Sequence, residues 1–208
     1  MSLSPIREDI CRLGRSLFDR GYTHGTSGNI SVLLDDGRMI VTPTDSSLGE
    51  LDPATLTLLG SDGSTMDGRA PTKELPLHSA LYRTRGAARA IVHLHSTHSV
   101  AASMLPDLDP ADVFPPLTAY YLMKVGRTAL LPYFRPGDPR VADAIDALAG
   151  RYSSILLANH GPVVSGLSLT AAGAAIEELE QTAKLYLLVG HRQANLLDIT
   201  EASALRCD

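Results

Sequence analysis

The chain has 208 residues, 44% of them hydrophobic and 20% charged, which suits one soluble globular domain over 1–208 with a sizeable core. Its formal charge of −5 excludes the basic stripe of a nucleic-acid-binding surface, although not a local basic pocket. No apolar run nears the roughly 18–20 residues that span a bilayer, and MSLSPIREDICRL lacks the apolar core of a secretion signal, so no membrane role and a cytoplasmic location are the expectation.

Ser4 and Pro5 form a cap and first-turn pair, and Ile6, Ile10, Leu13 and Leu17 set one apolar stripe on a helix that Gly21 stops. Gly25-Thr26-Ser27-Gly28-Asn29 is a loop. Ile30 to Leu34 and Met39 to Val41 read as a hairpin around Asp35-Asp36-Gly37. Ser61-Asp62-Gly63-Ser64 is a turn after the apolar pair Leu58-Leu59. Pro76 to Arg85 predicts a helix, Ala90 to Leu94 a strand, and another helix begins near His98. Phe114-Pro115-Pro116 is a break. Leu130 to Phe134 is a candidate strand, Pro139 to Leu148 a helix, Ile155 to Ala158 a buried strand, and Val163-Val164 extended. Leu169 to Leu197 reads as one long helix or two. Strands occur both in hairpins and after helices, which points to a mixed or largely antiparallel sheet covered by helices. Cys11 and Cys207 lie at opposite ends, so a disulfide framework is not expected.

The chemistry concentrates in the histidines. On a strand, His93 and His95 share a face and can converge on one ion; equally, such a pair can be ordinary hydrogen-bonded strand histidines. His160, between Asn159 and Gly161-Pro162, ends a buried strand at a forced turn. Three histidines with an open position are a common catalytic zinc design. Glu74, just before a helix, could be a ligand, a general base, or a solvated acid at a helix start. His78 falls on the same helical face four residues later, either supporting Glu74 or simply packed. His98 has a similar standing, and His24 and His191 read as structural or exposed.

Three loops rich in hydroxyls and small residues could hold a phosphate: Gly25 to Asn29, Thr42 to Ser47, and Pro71-Thr72-Lys73 with its cation. Alone, the first reads more readily as a plain glycine turn than as an anion site, because it leads into a strand and matches no phosphate-loop fingerprint.

Taken in order, Gly25-Thr26-Ser27-Gly28-Asn29-Ile30-Ser31, Thr42-Pro43-Thr44, Thr72-Lys73-Glu74, His93-Leu94-His95 and Ala158-Asn159-His160-Gly161 resemble the class II aldolase/adducin family over nearly the whole chain. The resemblance implies an α/β/α sandwich around a mainly antiparallel central sheet, assembled as a homotetramer with active sites at subunit boundaries. It implies that His93, His95 and His160 hold one divalent metal, and that Glu74 works beside the metal and ligates it when substrate is absent. Zinc suits the histidines; manganese, cobalt and iron are alternatives. Gly28, Asn29, Thr44 and Thr72 match residues around the substrate phosphate. Lys73 stands where the fuculose-phosphate branch has a serine, so that serine's role does not transfer. The stretches Pro71 to His78, His93 to Val100, Pro115 to Met123 and Tyr133 to Pro139 resemble the branch described as 3-oxo-tetronate 4-phosphate decarboxylases.

The expected reaction is metal-dependent decarboxylation of that phosphorylated keto-sugar acid to dihydroxyacetone phosphate and carbon dioxide, through a metal-stabilised enediolate. Glu74 in its protonated form is the candidate proton donor to C2. Lys73 holds either the departing carboxylate or the phosphate. Tyr120 or Tyr121 is a second candidate donor, reaching a neighbouring subunit, unless it is a buried aromatic. The alternatives are a fuculose- or ribulose-phosphate type aldolase, a dehydratase of the same family, and a non-catalytic adducin-like interaction module.

Overall fold

The computed structural model describes residues 3–205, so Cys207 lies outside the described residues. Helix α1 (Ser4–Asp19) begins one residue earlier than its sequence cap suggests. Leu3 takes the cap position, Pro5 sits in the first turn, and the Ser4 hydroxyl bonds to Glu8. Ile10 and Leu17 are fully buried, each worth about 1.5–3 kcal/mol in removal from water.

Among the described residues eight strands follow: β1 (Asn29–Leu33), β2 (Met39–Val41), β3 (Thr57–Leu59), β4 (Thr65–Asp67), β5 (Ala90–His93), β6 (Thr128–Leu131), β7 (Ser154–Leu157) and β8 (Gly161–Gly166). They form one sheet in the order β4-β3-β2-β1-β5-β8-β7-β6. Every pairing is antiparallel except β6 with β7. The helices are α1, α2 (Leu75–Thr84), α3 (Thr97–Ala102), α4 (Ala119–Lys124), α5 (Arg140–Ala147), α6 (Leu169–Val189) and α7 (Ile199–Leu205).

The alternation of strand side chains divides the interior into two layers. Ile30, Ala90, Val92, Leu156 and Val164 join Ile10, Leu17, Leu122, Ile176 and Leu179 on the face covered by α1, α4 and α6. Ile91, Ile155, Leu157 and Val163 join Leu77, Leu81, Val141 and Ile145 under α2 and α5. This is the α/β/α sandwich with a mainly antiparallel sheet. Among the described residues, no helix is long and apolar enough to cross a membrane.

Some boundaries differ from the sequence expectations. Strand β6 is Thr128–Leu131, not Leu130 to Phe134. Pro132 follows its last residue and has no N–H to continue a ladder, while Thr128 and Ala129 pair with Ser154 and Ile155. Strand β5 stops at His93, so His95 lies beyond it in a loop rather than on the strand. The tail is α6, ended at Gly190, followed by an irregular segment and then α7.

The registers gather the chemistry at one end of the sheet. Asn29 at the start of β1 pairs with His93 at the end of β5, and His93 pairs with Val163 near the start of β8. The β7–β8 turn carrying His160 is therefore at that end too, as is Glu74 at the cap position of α2.

Candidate metal centre

Each ligand candidate is set by a local feature of the chain. His93 is the last residue of β5 and is fully buried; its Nδ1–H donates to the Pro162 carbonyl at 2.9 Å. Leu94 turns to the opposite face and is fully buried in the other core layer. His95 is carried by the loop into α3, and Ser96 ties that loop to the Tyr22 carbonyl. His160 sits in a turn whose Asn159 takes φ +56, a conformation asparagine tolerates, with the Asn159 N–H donating to Ser103 Oγ. Helix α3 thus bridges the His95 loop and the His160 turn. Its start is held by Glu180 of α6, which accepts from the backbone and side chains of both His98 and Ser99.

The three rings meet. Their centroids are 5.0 Å apart for His93 and His95, 4.9 Å for His93 and His160, and 4.7 Å for His95 and His160. Glu74 closes the fourth side, with Oε2 3.1 Å from His93 Nε2 and Oε1 3.2 Å from His160 Nε2. One ligand atom from each of the four residues lies within 4.8 Å of the others.

These atoms fit a divalent cation for a reason independent of any likeness. His93 spends its Nδ1–H on Pro162, so a neutral His93 turns a buried lone pair at Nε2 toward a carboxylate oxygen 3.1 Å away, and only a protonated one donates to it. His160 Nε2 is 3.1 Å from His95 Nε2, two ring nitrogens that can share only one proton. Lone pairs converging on one point without donors require positive charge there. Burial opposes ionisation of Glu74, but the His93 charge and hydrogen bond, then His160 and Asn29, outweigh it and hold the carboxyl well below its usual range. The same carboxylate lifts His93 above its ordinary value against the effect of burial. Burial, then the charges of His93 and His160, push His95 down to about 3; burial, then His93, push His160 down to about 4. Positive charge is what the cluster lacks, and either a proton on His93 or a bound cation supplies it.

The substrate-binding candidates are distributed unevenly. The three hydroxyl-rich loops do meet. Thr44 N–H donates to the Ala70 carbonyl, Thr72 N–H to the Thr42 carbonyl, and Ile30 N–H to Thr42 Oγ1. Thr72 is buried and its Oγ1 accepts from the Glu74 N–H at 3.3 Å; Thr44 is half-buried. Asn29 is engaged by Glu74, donating from Nδ2 to Oε2 at 2.8 Å. Gly28 has φ +86, and a Cβ there would stand 2.9 Å from the His93 carbonyl oxygen, so glycine lets this loop lie against the metal-side backbone. Lys73 is exposed and reaches both Asp45 oxygens at 3.4 Å.

Tyr121 is fully buried, its hydroxyl 3.2 Å from Thr128 Oγ1 in the core, which excludes it as a donor at a neighbouring site. Tyr120 is 64% exposed on α4, against α6 and α7, and does not line the groove beside the histidines. That groove, about 530 Å³, is walled by His24, His95, Val100, Met104, Tyr133 and His160, among others. His24 is exposed, as expected, and its position beside the Gly25 to Asn29 loop puts it on this wall. A narrow crevice on the other side brings Phe134, Arg135 and Asp138 to Glu74 and His160.

Residues 8–187 match the family model described as Class II Aldolase and Adducin N-terminal domain. The chain belongs to the class II aldolase/adducin family. A 3-oxo-tetronate 4-phosphate decarboxylase from Escherichia coli K12 is 47% identical over 97% of this chain and 95% of its own. One from Cupriavidus necator is 51% identical over 88% and 84%. The L-fuculose phosphate aldolase of Methanocaldococcus jannaschii is more distant, 33% identical over 88% and 96%. Among solved structures, Escherichia coli YgbL, described as a candidate aldolase/epimerase/decarboxylase, superposes with a TM-score of 0.94 at 45% identity, covering 98% of this chain and 99% of its own.

Proposed function

We propose that the chain is a carboxy-lyase converting 3-oxo-tetronate 4-phosphate to dihydroxyacetone phosphate and carbon dioxide, using one divalent cation held by His93, His95, His160 and, before substrate binds, Glu74. The convergence of four ligand atoms beside an open groove carries this reading, and the identity to the decarboxylase relatives supplies the substrate class. Imidazole donors favour zinc, with manganese, cobalt or iron as alternatives. When bound, the cation supplies Lewis-acid stabilisation of the charge that develops on the substrate's ketone oxygen.

The protein's own residues account for the remaining tasks. The groove along His95 and His160 gives access for a small phosphorylated keto-sugar acid. The Gly28 N–H and the hydroxyls of Thr44 and Thr72 stand where adjoining loops meet and are proposed to anchor its phosphate; the Thr44 and Thr72 N–H groups are already spent on the Ala70 and Thr42 carbonyls. Lys73, exposed and paired at long range to Asp45, is free to exchange that partner for a substrate anion, the phosphate or the departing carboxylate. Loss of carbon dioxide leaves an electron pair on C2 that a proton must quench. Asn29 occupies Glu74 Oε2, so Oε1, on the His160 side, is the oxygen proposed to carry that proton. Because its surroundings hold the Glu74 carboxyl well below its usual range, it must take up a proton before it delivers one. The homotetramer expected for the family would leave Tyr120, exposed on α4, available to a neighbouring subunit's site. The reading implies no nucleic-acid or membrane partner, and a cytoplasmic location is proposed.

Given 3-oxo-tetronate 4-phosphate, the purified protein should release carbon dioxide and dihydroxyacetone phosphate in equal amounts. Cleavage of fuculose 1-phosphate to an aldehyde without carbon dioxide would transfer the assignment to the aldolases. An adducin-like module would have no use for four ligand atoms lying within 4.8 Å of one another.

A further inference from the structure

A continuous line of buried hydrogen bonds ends on Glu74. The Tyr82 hydroxyl lies 2.9 Å from Ser31 Oγ, which lies 2.7 Å from His78 Nδ1. His78 Nε2 lies 2.5 Å from Asn29 Oδ1, and Asn29 Nδ2 donates to Glu74 Oε2 at 2.8 Å. Ser31 and His78 are wholly buried, and Asn29 and Tyr82 nearly so. The line crosses between β1, which carries Asn29 and Ser31 on one face, and α2, which carries His78 and Tyr82 one turn apart.

Chemistry allows only one direction along it. An ionised carboxylate solely accepts, so Asn29 presents its NH₂ to Glu74 and its carbonyl to His78. That carbonyl also solely accepts, so the His78 proton is on Nε2. The lone pair is then on Nδ1, Ser31 donates to it, and Tyr82 donates to Ser31. Reversing any link strands a buried polar group. Without the Nε2–H, the buried Asn29 carbonyl would lose its donor and the amide would be held at the Glu74 end alone.

Resting on the reading of Glu74 as part of the cation site, we propose that His78 is a positioning residue. Its Nε2–H locks the Asn29 amide, and Asn29 in turn holds Glu74 Oε2 beside His93 as an acceptor. His78 is fully buried and reaches the site only through Asn29. Supporting groups of this kind typically alter metal affinity about 10–100-fold when removed.

The test is titration of metal-stripped protein with Co²⁺, followed by calorimetry and by the visible spectrum of the bound ion, with apo thermal stability measured alongside. The proteins are wild type, His78→Leu, His78→Gln and His78→Asn. A glutamine amide reaches the place of the His78 Nε2 and can still donate to Asn29; an asparagine amide reaches only the place of Nδ1, toward Ser31. His78→Leu and His78→Asn should bind Co²⁺ about 10–100-fold more weakly with an altered spectrum, while His78→Gln stays near wild type. If His78→Leu does not fold, the Gln and Asn pair carries the comparison. Equal affinity in all four proteins, or affinity that follows thermal stability instead of the donor to Asn29, overturns the proposal while leaving the metal site standing. A wild-type protein that binds no Co²⁺ overturns the metal reading itself.

Discussion

Gly161→Ala probes how the fold supports the site. Gly161 follows His160 directly, begins β8, and has φ +152. A Cβ there would lie 2.2 Å from the Leu94 carbonyl oxygen and 3.2 Å from His95 Cα, whereas ordinary contact starts at 3.4 Å. The two backbone segments carrying His95 and His160 must separate by about an ångström to admit the methyl group. The backbone conformation costs about 1–3 kcal/mol for a residue other than glycine. Overpacking adds about 1–3 kcal/mol. At about 2–4 °C per kcal/mol for a chain of this size, the melting temperature should fall by roughly 5–20 °C. A ligand displaced by about an ångström should lower turnover about 10²-fold even where the protein remains folded. Differential scanning calorimetry of the apo protein and cation titration at 15 °C separate the two effects. Wild-type melting with wild-type cation affinity in Gly161→Ala would refute the close approach of these segments.

Glu74→Gln should keep the fold, bind the cation more weakly, and lose at least about 10²-fold in turnover if Glu74 handles the proton, measured by carbon dioxide release under saturating metal. Glu180→Ala should destabilise by about 2–4 kcal/mol in chemical denaturation, since it strands the N–H groups at the start of α3 and the His98 and Ser99 side chains. Tyr121→Phe should cost about 0.5–1.5 kcal/mol through the lost Thr128 contact, whereas Tyr120→Phe should leave melting unchanged, so any loss of activity in it reports a role in turnover. The folded protein holds His78 and His95 down to about 3 and His160 to about 4, below the ordinary value of 6.5. Between pH 6.5 and about 4 the unfolded chain therefore binds protons that these residues refuse, and stability should fall as pH falls through that window. His93, raised above its ordinary value, acts outside this window: its stabilising contribution is fully present below pH 6.5 and is lost only as pH rises through its folded value. A melting temperature of the apo protein that rises on acidification across that window would contradict the burial of these rings.

Much of this fold was legible because its strands alternate and its helices carry one apolar face. Helix α1 and the β1–β2 hairpin follow from spacing and turn residues alone. The same logic placed His93 correctly, but carried His95 onto the strand when it lies beyond; a side-chain period says nothing about where a ladder stops. Strand β4, Thr65–Asp67, is an exposed edge whose one apolar residue, Met66, makes no alternation, and α4 is a six-residue helix too short for a period to register. Which of Tyr120 and Tyr121 is buried was settled by the packing of α4 against α6, a long-range contact. The three loops around Glu74 come from positions 28, 44 and 72, and only the sheet registers bring them together. His78 stood at helical spacing from Glu74, but its link runs through Asn29, almost fifty residues earlier, which no local pattern discloses.

X-ray absorption at the metal K-edge, on protein reconstituted with one equivalent of Zn²⁺, tests the central claim most directly. The account predicts a saturable single site whose inner shell contains three imidazole nitrogens at about 2.0–2.1 Å, with oxygen completing it. Sub-stoichiometric uptake, or a shell without imidazole scattering, would contradict it.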